Sequence, residues 1–309
     1  MAFSRKDFQD LYPFAEHTFK LPGSGLALNY VDEGPREGAE AVLMVHGNPT
    51  WSFYYRNVIK ELQSDFRCIV PDHIGCGLSE KPGDDRYTYT LDSRVADLTA
   101  LMDSLGYGAN AAAQGKRVNL VVHDWGGMIG LAWAARRLDL VGRIVILNTG
   151  GFRLPKSKPL PTSLWCIRNV APFGNIAVRG FNAFAGQALT MAVVKPLDER
   201  VAAGLIAPYD TWENRIATLR FVQDIPLAPG HPAWNTVLEV EAALPKIAQK
   251  QVMVAWGEQD FVFDNHFLRE WQRHLPAAPM HVYPDAGHYV LEDARDQVVP
   301  LIGNFIRGK

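Results

Sequence analysis

Three residues have the types and the order to do chemistry together: Asp124 in His123-Asp124-Trp125-Gly126-Gly127, Asp260 in Gly257-Glu258-Gln259-Asp260, and His288 in Ala286-Gly287-His288-Tyr289. An apolar run reaching Val122 feeds directly into Asp124, and the residues after it read as the start of a helix. A junction of this kind is sharp enough to push one side chain out at the carboxyl edge of a sheet, with small residues behind it so that backbones can approach. A carboxylate displayed there is a nucleophile. It would form an ester at an alkyl or strained-ring carbon, or an anhydride at a carbonyl. Asp124 takes the place of the serine of a G-x-S-x-G turn and Val122 that of its leading glycine, so peptidase-like chemistry is not expected. His288 would activate water or handle the proton step that releases product, and Asp260 would orient and stabilise the imidazolium. Each residue alone has a plainer use. Asp124 could cap the helix that follows it, and Asp260 and His288 could form turns or sit as polar core residues.

The elements that must position these groups follow from hydrophobic period. Residues 19–21 and 26–31 alternate like a hairpin at a sheet edge. Residues 41–45, 66–70, 118–122, 143–147, 251–256 and 280–283 read as strands, the first apolar throughout as in a parallel sheet buried on both faces. Residues 52–62, 91–105, 125–137, 267–274 and 291–306 read as helices between and after them. The alternation predicts an α/β fold: a mostly parallel central sheet flanked by helices. Asp124, Asp260 and His288 then fall at three strand exits, in the order nucleophile, acid, histidine of the α/β-hydrolase triad. The exit of the 41–45 strand, His46-Gly47-Asn48-Pro49-Thr50-Trp51, is either a simple turn or one half of an oxyanion site. The glycine-rich loop 71–79 lacks the lysine and spacing of a phosphate loop and reads as a tight surface turn bordering the site.

After Asn148-Thr149-Gly150-Gly151 the pattern changes. Prolines break up the chain and helical stretches follow without a strand, which divides it into a first core part at 1–150, an inserted helical cap at 151–225, and a second core part at 226–309. The cap is apolar and aromatic. From 151 to 195 it carries Arg153, Lys156, Lys158, Arg168, Arg179 and Lys195 and no acidic residue. This is either a solvated face over core-facing aromatics, or a lid for a long apolar substrate whose basic rim faces a partner or an anionic surface.

Composition sets outer bounds. With 48% hydrophobic residues, 15 Phe and 8 Trp, the 309-residue chain can bury a large core and still line a pocket. A net charge of -2 gives no reason to expect nucleic acid. Cys68, Cys76 and Cys166 are too few and too scattered for a disulfide framework or a zinc cluster, so free thiols and no metal are expected. Residues 1–7 lack an apolar leader and no run of about 18 apolar residues occurs, which points to the cytoplasm.

At this point the chain resembles the haloalkane dehalogenase family over essentially its whole length. His46-Gly47-Asn48-Pro49-Thr50-Trp51 and His123-Asp124-Trp125-Gly126-Gly127 are similar to that family's halide-stabilising and nucleophile motifs. The resemblance implies that the Trp125 indole and the Asn48 amide hold a departing anion, that the backbone N–H groups of Asn48 and Trp125 form an oxyanion hole, and that no cofactor is needed. One branch of the family takes its acid as Glu after the sixth strand. This chain has Asn148 there, so the acid falls to Asp260, as in the third subfamily. That subfamily includes the β-lactone decarboxylases of bacterial long-chain olefin biosynthesis, and the resemblance extends to Leu11-Tyr-Pro-Phe14 and to residues 66–82. It implies conversion of a cis-3-alkyl-4-alkyl-oxetan-2-one to an alkene and carbon dioxide, in company with other olefin-pathway enzymes. Hydrolytic dehalogenation is the alternative. An epoxide hydrolase would need cap tyrosines, and between 151 and 225 only Tyr209 is present. A non-catalytic receptor or scaffold stays open on motifs alone.

Overall fold

Strands that are apolar at every position must be covered on both faces, and in the computed structural model, which describes residues 5–309, they are. The strands are β1 His17–Lys20, β2 Ala27–Glu33, β3 Ala41–Val45, β4 Arg67–Pro71, β5 Val118–Val122, β6 Val141–Leu147, β7 Gln251–Gly257 and β8 Met280–Tyr283. They form one sheet in the order β1-β2-β4-β3-β5-β6-β7-β8. β1 and β2 run antiparallel, β2 pairs antiparallel with β4, and the remaining pairings are parallel. β3, β4 and β5 are buried along their whole length. The residues before Arg5, the first part of the stretch read as lacking a leader, lie outside the described residues.

The first helices are α1 Arg56–Leu62, α2 Leu91–Ser104 and α3 Trp125–Ala135. Thr90 caps α2 by accepting from the Ser93 N–H. α3 is buried over nearly all its length because it lies between the sheet and other helices. Between β6 and β7 there are only helices and turns. These are α4 Thr162–Asn169, α5 Ala171–Gly174, a π turn at Asn175–Gly180, α6 Ala185–Met191, α7 Glu199–Ile206, α8 Ile216–Gln223 and, returning to the sheet, α9 Trp234–Ile247. α10 Asn265–His274 links β7 to β8. The stretch read as one final helix is two, α11 Val290–Asp293 and α12 Arg295–Arg307, with the break at Ala294.

Two apolar clusters lie on the two faces of the sheet. One holds Leu43, Val45, Leu120 and Val122 with α2, α3, α9 and α10; the other holds Val42, Met44, Val121 and Val145 with α1, α11 and α12. Alternate residues of each strand serve opposite faces, as a period of two requires. Ile216, Ala217 and Phe221 of α8 belong to the first cluster, whereas Leu164, Ile167, Val178, Leu219 and Val222 make a small separate one. The helices between β6 and β7 are thus anchored to the core through α8 and α9 on one face and through Val201 and Leu205 of α7 on the other.

One sequence reading fails. The loop after β4 is not a surface turn: Asp72, His73, Ile74, Cys76 and Ser79 are buried. The Asp72 carboxylate accepts from the Ser52 N–H at 2.8 Å, the Leu78 N–H at 2.9 Å and Asn29 Nδ2 at 3.1 Å, so this acid organises the loop from inside. Glycine content signalled the turn; it could not reveal a buried carboxylate at its centre. Cys68, Cys76 and Cys166 are all free thiols.

Candidate active site

The exits of β3, β5, β7 and β8 converge at the carboxyl edge of the sheet, beside the crevice where β3 and β5 carry the chain to opposite sides. At the β5 exit Asp124 has φ 52 and ψ -131. A positive φ costs a non-glycine residue on the order of 1–3 kcal/mol, and the neighbourhood enforces it. The Asp124 N–H donates to the Asn148 carbonyl at 3.0 Å, and Thr149 Oγ1 donates to the Asp124 carbonyl. A Cβ at Gly126 would strike the Val45 carbonyl, one at Gly127 the Thr149 side chain, and one at Gly47 the Asp124 carboxylate itself. These glycines let β3, β5 and α3 close around the turn.

The β3 exit meets the carboxylate from the other side. The Asn48 N–H donates to Asp124 Oδ1 at 2.5 Å, and the Trp125 backbone N–H also binds the carboxylate. Asp124 Oδ2 lies 3.5 Å from His288 Nε2. His288 Nδ1–H in turn donates to Asp260 Oδ2 at 2.7 Å. The other Asp260 oxygen accepts the Val262 and Phe263 N–H groups at 2.7 and 3.0 Å. The structure therefore brings Asp124, His288, Asp260, Asn48 and Trp125 into one cluster.

Burial governs the charges here. It raises the Asp124 carboxyl above the ordinary carboxylate range, although His288 and the two N–H donors pull the other way. For His288 burial opposes the charge, but the Asp260 and Asp124 carboxylates outweigh it and the imidazole pKa lies above its usual value.

Two of these side chains need separate description. Asn48 Nδ2 donates to the Thr218 carbonyl of α8 at 3.0 Å, which leaves its second N–H for another acceptor. Its Oδ1 is buried without a hydrogen-bond partner among the described residues. The Trp125 indole packs against Phe221, with ring centroids 5.5 Å apart. Both residues that would hold an anion thus touch α8.

Sequence reasoning passed over two contributors. Asn148 stands in sequence only where one branch of the family has its acid, yet its Nδ2 reaches Asp260 Oδ2 at 3.1 Å and the Gly257 carbonyl at 2.9 Å, while its Oδ1 accepts the Gly257 N–H at 2.8 Å. His123, beside the nucleophile, donates from Nε2 to the His288 carbonyl at 2.8 Å and is held well below the ordinary histidine pKa by burial. Being neutral, it fixes the backbone of His288 without adding a charge. Both lie next to strand ends, the one sequence signal that could have singled them out.

Asp124, Asn48, Trp125 and His288 form the polar floor of a cavity of ≈ 210 Å³. Its walls are apolar, with Met128, Phe152, Leu164, Ile167, Phe184 and Val222 among them. No tyrosine lines it; Tyr209 is buried and spends its hydroxyl on the Thr50 carbonyl at 3.1 Å. The basic residues of 151–195 divide. Arg153 pairs with Glu241 at 2.8 Å and Lys158 with Asp264 at 2.6 Å, so these two tie the segment to α9 and α10.

The profile of the α/β hydrolase fold family matches residues 40–294. Over 297 residues the chain is 50% identical to a cis-3-alkyl-4-alkyloxetan-2-one decarboxylase of Shewanella oneidensis, covering 96% of this chain and 89% of the relative. It is 45% identical to the enzyme of the same name from Xanthomonas campestris, covering 91% and 93%. Among solved structures, the haloalkane dehalogenase DbeA of Bradyrhizobium elkani superposes with a TM-score of 0.80 at 26% identity, over 96% of this chain and 98% of that one.

Proposed function

Because this chain belongs to the α/β-hydrolase family, and its relatives at 45–50% identity are named for one reaction, we propose that it decarboxylates cis-3-alkyl-4-alkyl-oxetan-2-ones to alkenes with Asp124 as nucleophile. His288 and Asp260 complete the triad, Asn48 and Trp125 hold the developing anion, and residues 151–225 act as a cap over the apolar cavity.

The observation that carries the mechanism is the state of the backbone donors. The N–H groups of Asn48 and Trp125 are engaged by the Asp124 carboxylate itself. No free pair of donors is left to receive an oxyanion on a substrate carbonyl, which favours attack at saturated carbon. Asp124 Oδ2 attacks the ring carbon bearing oxygen; the C–O bond breaks and its electron pair leaves a carboxylate on the neighbouring carbon. That carboxylate sits against the Trp125 indole N–H and the second Asn48 N–H. The C–CO2 bond then breaks, its pair forms the alkene, and the ester bond to Asp124 breaks to return the carboxylate. No water and no net proton enter. The same N–H pair and His288, whose protonated form is favoured by the neighbouring Asp260 carboxylate, stabilise Asp124 as it leaves.

Hydrolytic dehalogenation uses the same nucleophile and anion site, and the DbeA likeness supports it as the second reading. The two readings part over water. Purified protein is incubated in ¹⁸O-water with a long-chain cis-β-lactone or with 1-bromobutane, against an Asp124→Ala control. Decarboxylation gives alkene and leaves the Asp124 peptide without ¹⁸O. Bromide and butanol without alkene, with ¹⁸O in that peptide, would make the protein a dehalogenase. Among the described residues no helix is long and apolar enough to cross a membrane. The same reading places the enzyme in the cytoplasm, working beside other enzymes of olefin synthesis.

A further inference from the structure

The outer surface of the helices between β6 and β7 has a composition that neither the cavity nor the triad explains. Trp165, Phe173, Ile176 and Phe181 are 49%, 49%, 55% and 79% exposed. They lie on α4, on α5, on the π turn and just after it, contiguous elements that pack against one another and together make the outer surface of this stretch. Trp212 adjoins it, with the Arg179 guanidinium 4.6 Å from its ring centre. Scattered apolar residues on a surface need no cause, but several large ones on contiguous elements mark a contact site.

Three observations point to what covers this face. The first is charge. With Arg153 and Lys158 tied inward and Lys195 held against Asp293 of α11, Lys156, Arg168 and Arg179 remain in no ion pair among the described residues; the chain from 151 to 195 supplies no acid, and Asp224 acts on Arg168, and Asp84 and Glu213 on Arg179, only at longer range. The second is that α4 has two sides. Leu164 and Ile167 line the cavity, while Trp165 between them in sequence points outward, so the exposed face is the outside of the cavity wall. The third is the cavity's opening. Met191 and Phe261 line it and are also exposed, which gives the mouth an apolar rim. Aromatic and aliphatic side chains beside unpaired cations suit a lipid–water boundary, where rings sit at headgroup level and cations meet anionic lipid.

We propose that this face seats the protein on an anionic phospholipid bilayer, with Trp165, Phe173, Ile176 and Phe181 in the headgroup boundary and the cavity mouth close to the lipid. A substrate with two alkyl chains partitions into the bilayer, and an apolar mouth held there takes it up without a passage through water. The uptake step rests on the reaction proposed above; the docking does not.

Co-sedimentation with vesicles separates the two. The Asp124→Ala protein is mixed at 0.15 M salt with vesicles of phosphatidylcholine alone or with 30% phosphatidylglycerol. It is compared with the same protein carrying Trp165→Ser and Phe181→Ser, or Lys156→Gln and Arg168→Gln. Binding to the anionic vesicles, weakened about tenfold or more by either pair and by 0.5 M salt, is the expected result. An Asp124→Ala protein that stays in the supernatant with anionic vesicles overturns the proposal, as does binding that both pairs leave unchanged. A concentration-dependent dimer abolished by Trp165→Ser and Phe181→Ser, without vesicle binding, overturns it in favour of self-association. In the catalytically intact protein either pair should leave turnover of 1-bromobutane or a short soluble β-lactone unchanged and slow turnover of a vesicle-borne long-chain lactone. Vesicle binding by a protein that makes no alkene would sink the decarboxylase reading and leave the docking site standing.

Discussion

Asn148 Nδ2 and Asp260 Oδ2 are 3.1 Å apart, and that oxygen is the one that accepts from His288 Nδ1 at 2.7 Å. An uncharged amide at the exit of β6 therefore fixes the carboxylate at the exit of β7. With the Val262 and Phe263 N–H groups on the other oxygen, all the principal acceptor positions of Asp260 are used and its plane is set before any substrate arrives.

Asn148→Ala should therefore lower kcat about tenfold, the cost of one hydrogen bond to a charged group, with little change in KM. It should also move the pH profile, because Asp260 and His288 lose a partner that fixes their geometry. A merely structural role would lower the melting temperature and leave the profile of the folded fraction where it was.

Asp124→Gly is expected to abolish turnover without destabilising the fold. The substitution relieves the strain of a positive φ on a non-glycine residue and removes a carboxylate that burial penalises, and these gains offset the loss of the bonds it accepts from the Asn48 and Trp125 N–H groups. Thermal denaturation at pH 7.5 should give a melting temperature at or above that of the unsubstituted protein; a fall of several degrees would show that the carboxylate holds the turn together.

His288→Ala should slow breakdown of the Asp124 ester and let it accumulate under saturating lactone. Intact-mass measurement should find an adduct of the full lactone mass, and digestion should place it on Asp124. If the adduct reacts with hydroxylamine as fast as an anhydride does, attack occurs at the carbonyl and the ring-carbon route is wrong.

Trp125→Phe removes an indole N–H while keeping an aromatic ring against Phe221. Turnover should fall about a hundredfold, the order seen when one oxyanion donor is removed, and bromide should inhibit less well. Asn48→Ala should act in the same direction through the loss of its free amide N–H. Unchanged bromide inhibition in both variants would take these residues out of the anion site.

Asp97 gives a pH-dependent stability test away from the chemistry. Burial pushes its carboxyl up to about 6, although it accepts from the Tyr87 hydroxyl at 2.6 Å. A carboxyl whose folded pKa is raised takes up a proton on folding between its unfolded and folded values. Its contribution is thus most favourable at or below about pH 4 and is lost as pH rises through about 6. Asp97→Asn, which keeps an acceptor for Tyr87, should stabilise the protein by on the order of 2 kcal/mol at pH 8 and have little effect at pH 4. Urea denaturation at the two pH values measures this; equal effects at both would mean that the group does not titrate in that window.

The sequence by itself determined the α/β alternation, because fully apolar strands and 3.6-period helices are local patterns that only a covered parallel sheet satisfies. It also placed Asp124, Asp260, His288, Asn48 and Trp125 at strand exits, since turn chemistry and chain order mark those positions. It could not say that Asp72 is buried inside its loop, that Asn148 holds Asp260, or that Thr218 holds Asn48 across 170 residues of chain. These depend on which strand ends are neighbours, and sheet order is set by long-range packing of apolar faces. Nor could it divide the basic residues of 151–195. Arg153 finds an acid on α9 and Lys158 the acid that caps α10, while Lys156 and Arg168 form no ion pair among the described residues, and only the fold brings those helices alongside. Local pattern chose the chemistry; the tertiary packing decided which neutral groups hold it in place and which surface it presents.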